Sequence, residues 1–311
     1  MYNIKHRLGG VFMRRPNDGD LKFSILVVVH DKLEPLKKCM ESLRNQTYPN
    51  YEIIVIDDES SDETKYYLQF LEQIDSKIKL SRNVNRIGKG ASKNLLLDQA
   101  VGDYFIFVEP TDYVETDLLE KLNNSLKNNQ VDILHYNSKV EGGTPEQIQK
   151  EYNRNPYRYN EIPTGIITGE EALLKWIYNK DQTTTTPWSY CVKEYLYDDV
   201  SYPKKSHFED IPIIPTLLAK AKTAKGIDYV GYHFMQYDQE DKNLSEYEKC
   251  LALAKKLSVF RKMVEELKDN LSKTNIDEEI KQKIIKDFEK RYETRKDKLI
   301  NRNKDAYQKI K

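Results

Sequence analysis

The sequence predicts an α/β fold in which helices flank a mostly parallel sheet, with a helical appendage at the C-terminus. Three observations predict it. Two continuous apolar runs rich in β-branched residues, Phe23 to Val29 and Tyr51 to Ile56, have the character of strands buried on both faces, as a parallel sheet requires. Segments of helical period alternate with these and with later strands at short intervals. Beyond about Leu244 the chain contains no glycine, charged residues dominate, and Leu251, Leu253, Leu257, Phe260, Met263 and Leu267 form an apolar stripe.

Taken in order, residues 1–20 are a polar lead-in closed by the turn signal Pro16-Asn17-Asp18-Gly19. After the first strand, which His30-Asp31 ends, Leu33, Leu36, Met40 and Leu43 recur at helical spacing, and Pro35 falls in the first turn, where its missing N–H does no harm. The second strand leads into Ser60-Ser61-Asp62-Glu63, which reads as a capping box for a helix through Leu68 and Leu71. Ile78-Lys79-Leu80 is a short third strand, Ser92 to Ala100 a helix, and Tyr104 to Val108 a fourth strand between Gly102-Asp103 and Pro110. A helix over Leu118 to Leu126 and a strand over Val131 to Tyr136 follow. Residues 141–169 read as loop with short elements, Glu170 to Tyr178 as helix, Thr183 to Pro187 as loop, and Ile211 to Ala221 as mostly helical despite Pro212 and Pro215. The expected organisation is a lead-in (1–20), one α/β domain (21–245) and a basic helical region (246–311).

With 39% hydrophobic and 32% charged residues, the chain is too apolar for disorder and too evenly polar for a membrane bundle. Its 50 basic and 50 acidic residues balance overall, yet residues 251–311 carry 18 Lys/Arg against 11 Asp/Glu and the remainder is correspondingly acidic. The body is therefore no nucleic-acid platform. The tail fits three readings: a solvated helical face, peripheral contact with anionic lipid, or self-association through 246–311. Cys39, Cys191 and Cys250 form no CxxC pair, and the N-terminal residues contain no apolar signal segment. A cytoplasmic location, including the inner face of a membrane, is expected.

Ligands of an open parallel sheet bind beyond the carboxyl ends of its strands. Here the second strand runs into Asp57-Asp58-Glu59 and the fourth into Glu109-Pro110-Thr111-Asp112, so acids crowd one edge. Val29-His30-Asp31-Lys32 has no glycine for a dinucleotide turn, and Gly88-Lys89-Gly90 lacks the spacing of a Walker loop. Carboxylates instead suit hydrogen bonds to a base or ribose, or a divalent metal that grips a diphosphate. That pattern points to a nucleoside-diphosphate donor. The plainer readings are a helix-entry turn for Asp57-Asp58, a solvated turn for Glu109 and Asp112, and a helix cap for Asp210.

Five ordered motifs within residues 22–240 carry a family resemblance. Ser42-Leu43-Arg44-Asn45-Gln46-Thr47-Tyr48, followed by Glu52 to Asp62, resembles the S-x-x-x-Q-T-x and E-(I/V)4-D-D-G-S-T-D opening of family 2 glycosyltransferases with the GT-A fold, the Rossmann-like fold such enzymes share. Asn85, Gly88, Lys93 and Asn94 resemble the family's N-x-x-G…(R/K)-N segment, and Phe107 to Tyr113 resembles F-L-D-S-D-D-Y. Trp188 to Lys193 resembles the W-N-K-L-(F/Y)-(K/R) segment of bacterial cell-surface members, and Phe208-Glu209-Asp210 their (F/Y)-E-D motif. Five residues depart from the pattern: His30 for proline, Glu59 for glycine, Glu109 and Thr111 for the two aspartates of the DxD, and Ser189 for asparagine.

The resemblance implies a GT-A hexosyltransferase that moves a sugar from a UDP-sugar donor, with inversion, to a hydroxyl of a bacterial surface polysaccharide, teichoic-type polymer or glycolipid. It implies that Asp58 contacts the uracil, with Asp57, Val29 and His30 enclosing the nucleoside. Lys93 lies near the donor. Glu109 and Asp112 lie near the diphosphate and a divalent cation, Mn2+ or Mg2+. Asp210 is the catalytic base, and Trp188 and Glu209 sit on the acceptor side, where Glu209 also reads as structural. Thr111 keeps open an alternative from another class, a catalytically silent GT-A module that binds a nucleotide sugar or a partner and scaffolds glycan assembly.

Overall fold

The computed structural model describes residues 20–146, 148, 162–178, 187–204, 209–210, 212–236, 248, 258, 262–302, 304 and 308. Residues 1–19 of the lead-in, the loop over Thr183 to Thr186, His207, Phe208 and Ile211 of the (F/Y)-E-D region, and Leu251, Leu253, Leu257 and Phe260 of the apolar stripe lie outside the described residues.

The chain alternates β1 (Phe23–Val29), α1 (Leu33–Arg44), β2 (Tyr51–Asp57), α2 (Thr64–Ile74), β3 (Ile78–Arg82), α3 (Lys89–Gln99) and β4 (Tyr104–Phe107). Then come β5 (Tyr113–Val114), α4 (Leu118–Leu126), β6 (Ile133–Glu141), β7 (Ile167–Thr168), α5 (Gly169–Tyr178), β8 (Tyr190–Lys193), α6 (Ile213–Lys220), β9 (Thr223–Met235) and α7 (Glu278–Arg302). The described strands form one sheet in the order β3-β2-β1-β4-β8-β6-β9-β5, with β7 paired to β9. The β3-β2-β1-β4 half is parallel. β8 enters antiparallel between β4 and β6, and β6 pairs parallel with β9.

Because side chains alternate along a strand, β1 and β2 feed two cores. Leu26, Val28, Ile54 and Ile56 face Leu96 and Leu97 of α3, Leu173 of α5 and Leu217 of α6. Val27, Val29, Ile53 and Val55 face Leu36, Met40 and Leu43 of α1, Leu68 and Leu71 of α2, and Leu119 and Leu122 of α4. The C-terminal helices join the first core through Leu267, Leu271, Ile280, Ile284 and Phe288, all buried. At roughly 1.5–3 kcal/mol for each large apolar side chain removed from water, this is a substantial attachment. Among the described residues no helix is long and apolar enough to cross a membrane.

Three sequence expectations change. Ser60 to Glu63 form no capping box: α2 begins at Thr64 without a side-chain bond from its cap residue, Asp62 Oδ1 instead accepts from the Thr64 N–H at 2.9 Å, and the Ser60 hydroxyl is taken by the Asp31 N–H at 2.9 Å. α3 starts at Lys89, three residues before the expected Ser92. β6 runs on to Glu141, and β8 and β9 are strands that hydrophobic period alone did not predict.

Candidate functional site

The carboxyl ends of β1, β2 and β4 open on one side of the sheet, and the sequence-predicted residues fall there in three groups. In the first, the Asp58 N–H donates to the Val29 carbonyl at 2.7 Å and the His30 ring Nδ1 lies 2.8 Å from the Asp58 carbonyl oxygen. Asp58, 2% exposed, clamps the loop between β3 and α3: Oδ1 accepts from Asn83 Nδ2 at 2.8 Å and the Ile87 N–H at 2.9 Å, and Oδ2 from the Gly88 N–H at 2.9 Å. Burial alone would raise its pKa, but these donors stabilise the carboxylate more and hold the group below the ordinary range. Asp57 is committed inward, to the Ser60 N–H at 2.8 Å and to Arg82, its register partner on β3. Glu59, standing where the motif has glycine, keeps the left-handed backbone that a glycine serves, at φ +64°, and its carboxylate accepts from the Arg86 N–H.

The second group is a buried charge cluster around Lys93. Its side chain is 2% exposed, and Nζ lies 2.6 Å from Asp210 Oδ1, 3.1 Å from Glu209 Oε1 and 3.7 Å from Glu109 Oε1. Lys89, one helical turn earlier, reaches the other Glu109 oxygen at 2.6 Å. Desolvation would lower the Lys93 ammonium, but Asp210, Glu109 and Glu209 together hold it well above its usual value. Glu109 resists its own burial because it meets two ammoniums, which bring it down to about 2. Asp210 shares a single lysine with two other acids; burial pushes it up to about 6, against Lys93 and with the help of Glu209 and Glu109. A 20% exposed carboxylate of that affinity can take a proton near neutral pH. Asn94 fixes the wall of this cluster by accepting from the Tyr202 N–H at 2.7 Å and donating to the Tyr202 carbonyl at 2.9 Å. At Gly90 α3 passes so close to Pro203 that an added Cβ would sit 2.0 Å from its carbonyl oxygen.

The third group stands apart. Asp112, 1% exposed, accepts from the Tyr232 hydroxyl at 2.6 Å and the Met235 N–H at 3.0 Å, while Tyr232 Oη takes the Glu109 N–H at 3.2 Å. Trp188 is 3% exposed and stacks on Tyr232 with centroids 4.5 Å apart, so its ring is packed in the core rather than presented to an acceptor. Glu209 faces Lys93, a structural contact. Sequence reasoning missed Lys89, Asn83, Arg82 and Tyr232; the one signal available was the i, i+4 spacing of Lys89 and Lys93.

A divalent cation does not fit these side chains. Hard cations gather several oxygen ligands, whereas Glu109 meets two lysines, Asp112 already accepts from Tyr232 and Met235, and Thr111 offers only a hydroxyl that itself lies 3.5 Å from Asp112 Oδ1. Among the described residues no group of three His, Cys, Asp or Glu side chains converges as a metal site.

Residues 24–187 match the model of Glycosyl transferase family 2. The chain is 36% identical over 176 residues to the poly(ribitol-phosphate) beta-glucosyltransferase of Bacillus spizizenii, covering 54% of this chain and 27% of that protein. It is 37% identical over 102 residues to the GalNAc(5)-diNAcBac-PP-undecaprenol beta-1,3-glucosyltransferase of Campylobacter jejuni, 32% of this chain and 33% of that one. It thus spans a quarter to a third of the length of these relatives. The crystal structure of Staphylococcus aureus TarS 1–349 in complex with UDP superposes with a TM-score of 0.63 at 20% identity, covering 86% of this chain and 70% of that one. The mannosyltransferase PcManGT of Pyrobaculum calidifontis in complex with GDP-Man and Mn2+ superposes at 0.57 and 14% identity, over 92% and 74%. The likeness in fold joins the helix-flanked, mostly parallel sheet to the GT-A architecture, and the family match covers more than half of the sequence. With the acids at the sheet's carboxyl edge falling in the family's own motifs, the chain belongs to glycosyl transferase family 2.

Proposed function

We propose that the chain transfers a hexosyl group from a UDP-sugar, with inversion, to a hydroxyl of a surface polysaccharide, teichoic-type polymer or glycolipid. The observation that carries this reading is Asp210: a partly exposed carboxylate, raised to about 6, at the mouth of a buried charge cluster beside the strand ends. Asp210 accepts the proton of the acceptor hydroxyl as its oxygen bonds to the anomeric carbon. The bond from that carbon to the diphosphate breaks on the opposite side, and the leaving group keeps the electron pair. Val29, His30 and the loop held by Asp58 enclose the nucleoside. Lys93 keeps Asp210 aimed and ionised. The acceptor class is supported by the likeness to the poly(ribitol-phosphate) beta-glucosyltransferase of Bacillus spizizenii, and the donor by TarS structures in complex with UDP and with UDP-GlcNAc.

The test is a transfer assay from UDP-sugars to poly(ribitol-phosphate), with calorimetric UDP binding alongside. Asp210→Asn is expected to lose transfer by about 10²–10⁴-fold, the usual worth of a general base, while binding UDP as the parent does. A folded parent chain that binds no UDP-sugar would sink the enzyme reading and leave the silent scaffold in its place.

A further inference from the structure

The leaving diphosphate needs a positive partner, and the acids that the resemblance assigns to a metal are already engaged. We propose that the Lys89 ammonium, rather than a divalent cation, offsets the charge of the donor's diphosphate; this rests on the nucleotide-sugar reading of the same site.

Four features of the cluster support it. Lys93 is enclosed by three carboxylates at 2% exposure, whereas the Lys89 side chain is 52% exposed. Lys89 spends one hydrogen bond on Glu109 at 2.6 Å, and an ammonium carries three donor hydrogens. Glu109, with Lys89 Nζ at 2.6 Å on one oxygen and Lys93 Nζ at 3.7 Å from the other, is an anchor that aims Lys89. Lys89 also follows directly on Gly88, whose N–H is held by Asp58. A nucleoside seated against Val29, His30 and the Asp58-clamped loop therefore runs its phosphates toward residue 89. When the bond to the anomeric carbon breaks, the added negative charge on the terminal phosphate oxygen meets this ammonium. A fixed ammonium in a partly desolvated site supplies the electrostatic stabilisation otherwise supplied by a cation.

The experiment is calorimetric titration of the full chain with UDP, in EDTA and in Mn2+, for the parent, Lys89→Met and Lys89→Arg. The parent is expected to bind UDP in EDTA within about twofold of its affinity in Mn2+. Lys89→Met should weaken UDP binding by about tenfold to a hundredfold, the range for losing a charge-assisted contact, and Lys89→Arg should keep most of it. Thermal unfolding checks that each variant is folded. UDP binding that appears only with Mn2+, or Lys89→Met binding UDP as the parent does, overturns this inference and leaves the donor reading standing. No UDP binding in either buffer overturns both.

Discussion

Replacing Lys93 by methionine keeps most of the length and apolar body of the side chain and removes the charge that three carboxylates share. At Nζ–O distances of 2.6, 3.1 and 3.7 Å, each attraction is worth several kcal/mol at an effective dielectric constant of about 20. Most of that gross gain is offset in the parent by the cost of desolvating the ammonium and by repulsion among the acids. What remains measurable is the penalty for leaving buried carboxylates without their counter-charge, about 3–5 kcal/mol. The sign of its pH dependence follows from the same geometry. Without Lys93, the proton affinity of Asp210, already raised by burial, rises further above its unfolded value. Protonation then favours the folded state, and the variant recovers relative to the parent as pH falls, by roughly 1.4 kcal/mol per pH unit where Asp210 titrates. Urea unfolding of parent and Lys93→Met across pH 5–8 reads this directly and needs no substrate. The expected result is a deficit largest at the alkaline end that shrinks toward the acid end. A deficit under about 1 kcal/mol throughout, or one that widens on acidification, would refute the account of Lys93 as the central counter-ion.

Transfer should lose activity as pH falls through about 6, where Asp210 takes up a proton, and a pH profile of kcat/KM checks it: the acid limb should drop about tenfold per unit. At the opposite end of the sheet, Glu52 is buried and accepts from Ser24 Oγ at 2.6 Å, the Val101 N–H at 2.9 Å and Lys79 at 2.6 Å. Burial would raise its pKa, but these donors lower it below the ordinary value. Its contribution is therefore complete above the unfolded carboxylate value of about 4 and is lost as pH falls through the lower folded one. Glu52→Gln should cost about 1–3 kcal/mol in urea unfolding at neutral pH and flatten the acid side of the stability profile. Gly90→Ala should destabilise by about 1–3 kcal/mol, because the new methyl meets the Pro203 carbonyl and α3 must shift; differential scanning calorimetry reads the loss.

How much of this was legible in the sequence depended on how local each signal is. β1 and β2 could be read because a strand buried on both faces is continuously apolar. β9 could not: Lys225, Gly226, Asp228 and Gly231 interrupt its pattern, and its central residues are only partly buried, so neither period stands out. The start of α3 was misplaced for a related reason. Gly88 and Gly90 read as loop, yet Gly88 is the cap and Gly90 is small because Pro203, more than a hundred residues away, packs on it. That displacement hid Lys89, since only a helix beginning at residue 89 puts Lys89 and Lys93 one turn apart on the same side of Glu109.

The motifs marked the right places but not which acids remain available for chemistry, because availability is set by contacts across the fold. Asp57 and Asp58 are neighbours in one motif, yet strand register gives Asp57 to Arg82, and the loop after β3 gives Asp58 three donors. Glu109 and Asp112 share another, yet Glu109 turns to two lysines while Asp112 turns to Tyr232 and Met235 on β9. Tyr232 and Met235 both lie on the strand that hydrophobic period failed to mark. Lys93, expected near the donor, has the proposed base as its nearest carboxylate. In each case a carboxylate whose oxygens are committed to fixed protein donors shapes the site, and one with a less well compensated charge is where a proton can be exchanged. By that criterion Asp210 stands alone among the sequence-predicted acids, since it alone combines partial exposure with a proton affinity raised toward neutrality.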